Sequence, residues 1–214
     1  MQVTNELTVT EAIEKRRSIK SFKPDPISEE ILQKILDAIH AAPSSWNFQP
    51  TRVVLIQSEA QKKALALACW EQKQILEAPI TLVFAASVRG WEEKMDAILA
   101  QAVQNGAWSK DGANFIRENA PPFQDALAEK EREYAVKDAM ISATHAALAA
   151  ESLGLGSCFM NGWVEEKVKQ VIGVENDPDA AIALVLPIGY PAIAQKNPGR
   201  LPKEEIFFID QLAS

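Results

Sequence analysis

Alanines at positions 135, 139, 143, 146, 147 and 150 recur at helical spacing through residues 125–153, a run closed by Gly154. Few sequences constrain a fold more. A helix with so small and so apolar a face lets other elements approach closely, and it has to be buried within the fold or against a second subunit. The rest of the chain must therefore supply that cover.

Apolar runs at 52–57, 80–87, 156–160 and 182–190 read as strands, and the apolar segment 204–210 reads as a last one. Between them the spacing predicts helices. One covers 10–16 with Thr10 as its N-cap. A second follows Ser28, with Ile31, Leu32, Ile35, Leu36 and Ile39 on one face, and is ended by Pro43. Ser58 and Gln61 fit a capping box opening a third to about Leu76, and a short helix fits 163–172. Residues 89–123 hold Trp91, Trp108, Phe115, Phe123 and the Pro121-Pro122 pair. Their looser pattern reads as an excursion or substrate lid. Helices alternating with four or five strands give an α+β or α/β sandwich, expected as a single domain over 1–214.

Bulk properties narrow the function. The formal net charge is -7 and the pI about 5.0, which argues against general nucleic-acid binding. No apolar run is long enough to span a bilayer, the first residues lack an apolar signal core, and Cys69 and Cys158 lie far apart without CxxC spacing. A cytoplasmic protein with reduced thiols is expected. The usual hydrolytic machinery is missing. Gly154-Leu155-Gly156 closes a helix instead of opening one, so a helix C-cap explains it better than a dinucleotide loop. There is no Walker A run or GxSxG elbow. His40 and His145 stand alone inside predicted helices, so no metal site is expected.

What the chain does carry is an anion-binding pattern. Residues 15–23, KRRSIKSFK, put five basic side chains in nine positions without a carboxylate. Arg16 and Arg17 can form forked bonds to phosphate oxygens, with Ser18 as a neutral donor and Lys20 as a further cation. A second carboxylate-free basic stretch, 196–203, centres on Arg200. Amide side chains come from Asn47, Gln49, Gln72, Gln74 and Asn161. Flavin mononucleotide asks for this set: cations for its phosphate, amides for its pyrimidine edge, and a donor where charge develops on reduction. Taken singly, each residue also has a structural explanation, as a turn brace, a solvated helix face or a cap.

The segments RRSIKSF (16–22) and APSSWNFQP (42–50) resemble the two signature stretches of the nitroreductase family of flavoproteins. Gln72 ahead of Ala78-Pro79, the run from Leu153 through Asn161-Gly162-Trp163, the LPIGYP turn (186–191) and Arg200 follow in the family's order. The family's first motif often has arginine where this chain has Lys20, which keeps the charge but loses the bidentate fork. The resemblance implies an α-β-α sandwich with a mixed, mainly antiparallel sheet in an intertwined homodimer, with FMN bound at the subunit interface. It assigns Arg16, Arg17, Ser18 and Arg200 to phosphate and ribityl groups, and Gln72, Asn161 and Gly162 to the flavin ring. Pro43, Ser44, Ser45 and Asn47 would reach in from the other subunit. Lys20 joins the cofactor-binding set. The implied reaction is ping-pong hydride transfer from NADH or NADPH to a small aromatic acceptor such as a nitroaromatic or quinone, with no obligatory catalytic side chain. Enone reduction, dehalogenation, flavin breakdown and flavin binding without turnover remain open on the same fold.

Overall fold

In the computed structural model, which describes residues 6–212, an antiparallel sheet separates two helical layers. Its order is β1-β2-β4-β3, with β1 at Thr51–Ile56, β2 at Ile80–Ser87, β3 at Gly156–Ser157 and β4 at Ala180–Gly189. The central strands β2 and β4 are buried on both faces, as their unbroken apolar sequences require. Between Phe84 and Ala85 of β2 the register against β4 slips by one, leaving Ala183 of β4 as the extra residue. An isolated parallel bridge, Ser18 to Ser157, lays the basic segment along the β3 edge, while every pairing among the four strands is antiparallel.

On one face lie α2 (Glu29–His40) and α7 (Glu131–Ser152). Ile35 and Leu32 of α2 and all six named alanines of α7 pack there against Leu82, Phe84, Leu184 and Leu186. The alanine face is thus covered within the chain and needs no second subunit, which settles one of the two options left by the sequence. Gly154, at φ +80°, ends α7 in a Schellman turn, with Leu155 N–H donating to Ala150 C=O and Gly154 N–H to Glu151 C=O. The opposite face holds α3 (Glu59–Ala68), α4 (Lys73–Glu77) and α8 (Glu165–Ile172), packed through Leu65, Ile75 and Val168 onto Val83, Ile182 and Val185. Cys69 and Cys158 are free and buried in this layer. Among the described residues, no helix is long and apolar enough to cross a membrane.

Several sequence expectations need correction. The first helix, α1, spans Val9–Lys15, and Thr8 caps it in a reciprocal capping box with Glu11; Thr10 lies inside. Ser58 does cap α3, but the helix stops at Ala68. Trp70 and Glu71 adopt φ +56°, and α4 restarts beyond them. Residues 89–123 are not irregular: α5 (Trp91–Gln104) and α6 (Lys110–Leu127) form a helical hairpin, with Pro121 and Pro122 inside α6. Ala128, at φ +48°, then breaks the chain before α7, so the long helix starts later than the alanine pattern suggested. The expected strand at 156–160 shrinks to β3 plus a bridge from Met160 to Val185. Residues 204–210 form no strand and pair with none of the described strands; Ile206, Phe207 and Ile209 are exposed.

Gly156 ties this frame to the basic segment. A Cβ there would lie 2.4 Å from Ile19 Cγ1 and 3.0 Å from the Pro191 ring. Gly156→Ala should therefore displace buried Ile19 and cost about 1–3 kcal/mol through overpacking. Urea denaturation of the two proteins measures it; equal stability would show that the contact can relax.

Candidate functional site

Arg16 caps α1, its N–H bonded to Ala12 C=O, just where the basic segment begins. Its guanidinium lies 5.5 Å from the Phe159 ring centroid, and its buried Nη1 has no hydrogen-bond partner. Such an atom is costly unless something accepts from it. Arg17 donates to the carbonyls of Glu14 and Arg16. Ser18 sits on the bridge to Ser157, and Lys20 Nζ donates to Cys158 Sγ at 3.3 Å. Glu151, at the end of α7, has its carboxyl pushed up by burial and pulled down by the charges of Arg16, Arg17 and Lys15. It balances part of this cationic group from behind.

The amide side chains converge on the same region. Gln72, the N-cap residue of α4, donates through Nε2 to Gly162 C=O at 3.3 Å, and its Oε1 accepts from buried Gln74 Nε2 at 2.8 Å. Gln74 thereby fixes which way the Gln72 amide points. Gly162 is small by necessity: a Cβ would meet Trp70 Cζ3 at 2.8 Å and Gln72 Nε2 at 3.2 Å. Asn161 is exposed beside it and does not cap α8, whose N-cap is Val164. Arg16, Arg17, Ser18, Lys20, Gln72, Asn161 and Gly162 are therefore brought to one side of the molecule by the 157–163 segment. Trp70 and Phe159 belong with them although the sequence did not single them out. Aromatic residues next to an amide and a basic motif were the available signal.

The 43–50 loop lies elsewhere. Ser45 donates through N–H (3.0 Å) and Oγ (3.1 Å) to the Asp138 carboxylate on α7, while Trp46 packs on Phe123 and Phe48 on Trp91. Asp138 is thirteen residues before Glu151, so the loop and the basic segment meet α7 at points ~20 Å apart along its axis. Within one chain, Pro43, Ser44, Ser45 and Asn47 do not join the other candidates. Arg200 does not either: it lies in the exposed stretch after β4, its Nη1 donating to Gly199 C=O.

A cleft of about 820 Å³ is a different place again, between α5, α8 and the start of β4. Several of its charges pair with one another. Arg89 pairs with Glu92, Asp125 and Glu131, Arg132 pairs with Glu165, and Asp179 accepts from Ser87 and from Arg89 N–H. Glu93, Lys94, Glu129 and Glu166 line it as well, but the buried Arg16 nitrogen without a partner is the sharper indicator of a binding site.

A family model described as the nitroreductase family matches residues 13–190. A Thermus thermophilus protein named NADH dehydrogenase is 33% identical over 192 residues, covering 90% of this chain and 91% of that protein. A Bacillus subtilis FMN reductase [NAD(P)H] is 29% identical over 92% of this chain and 72% of its own length. Among solved structures, an assigned nitroreductase from Exiguobacterium sibiricum, crystallised with FMN, superposes with a TM-score of 0.83 at 23% identity, covering 97% of this chain and all of that one.

Asp138 offers a test of these electrostatics. Burial raises its pKa above 3.8, while the two bonds from Ser45 oppose the rise. A raised folded-state pKa means the ionised form weakens the fold above the unfolded value and costs nothing below it. Asp138→Asn should thus raise the thermal midpoint at neutral pH, and the gain should vanish as pH falls below 3.8. Thermal scans across that range decide; a pH-independent difference would contradict the assignment.

Proposed function

The chain belongs to the nitroreductase family, and on that footing we propose that it is an FMN-dependent oxidoreductase passing hydride from NADH or NADPH to nitroaromatic, quinone or similar electron-poor acceptors. The observation that carries this is Arg16 Nη1, buried without a partner in a cationic group beside a polar edge. A phosphate would satisfy it. The Bacillus subtilis relative is named for FMN reduction, and the Exiguobacterium protein holds FMN, which supports the same cofactor here.

In this reading Arg16, Arg17 and Ser18 hold the phosphate and ribityl chain. Lys20, steadied by Cys158, supplies a positive charge near the ring. Gln72, oriented by Gln74, offers its amide to the pyrimidine edge, and the Asn161-Gly162 backbone lies along the ring. The bound flavin supplies the two-electron chemistry, and water supplies protons, so the chain needs no side-chain acid. The α5–α6 hairpin acts as the substrate lid of one domain, with its aromatic residues stacking on flat acceptors. Free buried thiols fit a cytoplasmic setting.

The site is shared in a homodimer. Its 43–49 half is ~20 Å from its basic half along α7, and Arg200 sits on an arm, 192–212, whose described residues are all exposed. That arm exposes Leu201, Phe207, Ile209 and Leu212, while α1 exposes Val9 and Ile13. These surfaces suit an obligate interface of roughly 2,000 Å² or more.

Purified protein should absorb as a flavoprotein and bleach on anaerobic addition of NADH or NADPH; colourless protein that takes up no FMN would end this reading. Arg16→Ala should weaken FMN about ten- to a hundredfold, the worth of one charged hydrogen bond at roughly 1.5–3 kcal/mol. Fluorescence titration measures it, and unchanged affinity in the folded variant would reject the phosphate role. Sedimentation at micromolar concentration should give a dimer. A monomer that still holds FMN would refute the shared site.

A further inference from the structure

Asp138 occupies an unexpected position. It sits on the buried face of α7 among Ala135, Ala139 and Ser142, and is itself 6% exposed. A carboxylate in a layer of alanines is a poor way to stabilise a helix, because desolvating the charge offsets what its bonds return. Both bonds it makes go to Ser45, one from the backbone N–H and one from the hydroxyl. The loop it grips needs holding. Trp46, Asn47 and Gln49 have φ of 53°, 56° and 51°, a left-handed region that residues with a Cβ enter only under constraint, and residues 43–50 contain no glycine to ease them.

One turn further along the same helix face, Ser142 Oγ bonds Thr51 Oγ1 at 3.1 Å, so α7 clamps both ends of the strained segment. Between the clamps, Ser44 Oγ accepts from Gln49 N–H at 2.9 Å and closes the loop on itself. Phe48 is buried against Trp91, and Trp46 packs on Phe123. Side-chain packing thus fixes two residues of the loop, but only Asp138 takes the Ser45 N–H where the left-handed run begins.

Resting on the flavin reading above, we propose that Asp138 is the positioning residue for the 43–49 loop, holding it preformed in the conformation that meets FMN. Without that grip the loop relaxes out of its left-handed run. FMN then has to reorder it, and the apparent affinity falls by the fraction of protein still in the competent conformation. The carboxylate touches no ligand. Its role is exercised entirely through Ser45 and the backbone that follows.

Fluorescence-quenching titration of FMN into apoprotein tests this. Asp138→Ala, which removes the acceptor, should weaken FMN about ten- to a hundredfold. Asp138→Asn keeps an acceptor for the Ser45 N–H at nearly the same volume, and should recover affinity to within about threefold of the native protein. If the alanine variant does not fold, Asp138→Leu fills the volume without an acceptor and should show the same loss. Ala or Leu variants binding FMN within twofold of native protein, or an Asn variant as weak as they are, would overturn the role. Weak binding in Arg16→Ala beside unchanged binding in Asp138→Ala would overturn this inference alone. Native protein that binds no FMN would overturn the flavin reading with it.

Discussion

Everything in this molecule is hung on the contact between the alanine face of α7 and the central sheet. Ala139, Ala143, Ala146, Ala147 and Ala150 are fully buried there, against strands that are apolar on both faces. Short side chains let the helix lie close, and a close, rigid helix is a good ruler. Its first half grips the 43–49 loop through Asp138. Its last turn holds the start of the chain, where Ser152 and Leu7 exchange hydrogen bonds and Glu151 backs the arginines. The two signature segments are thereby fixed at a set separation. That separation is what argues for a binding site completed by a second copy.

The site runs at a cost in the free chain. An arginine nitrogen is buried without a partner, three residues with side chains are held left-handed in the 43–49 loop, and two more, Trp70 and Glu71, precede Gln72. Each feature opposes stability by itself. Each also lies on a segment assigned to the cofactor. A ligand that accepts from Arg16 and packs on the preformed loops returns part of that cost on binding, so strain and affinity are two views of one arrangement. Arg16 is not left wholly uncompensated meanwhile, since its guanidinium rests against the Phe159 ring.

The sequence was legible wherever one local rule acted alone. Periodicity located β2, β4 and α2, Ser28 and Ser58 marked helix starts, and Gly154 marked the end of α7. The basic and amide residues were visible by type, and five of them, with Ser18 and Gly162, lie on one side of the molecule. It misled where rules competed. Pro121 and Pro122 read as breakers, yet α6 runs through them, at the cost of the N–H donors that the Arg117 and Glu118 carbonyls would otherwise receive. The break at Trp70-Glu71 was hidden because neither residue is a glycine or proline. Asp138 was legible in principle, as one charge on an alanine face, but a carboxylate within a charged-looking helix start reads first as solvated.

The segment 204–210 failed for a deeper reason. Its apolar pattern is real, but a strand or an anchor needs a partner, and none of the described strands pairs with it: Phe207 and Ile209 stay largely exposed. If a second copy covers such a segment, periodicity along one chain carries no information about it. The same arm bears Arg200. If it packs on a second subunit, then placing Arg200 against a phosphate and joining two chains are a single event, and each must strengthen the other by the same free energy. FMN would then favour the dimer as much as the dimer favours FMN, and the exposed apolar arm would be the means by which one site senses the presence of the other chain.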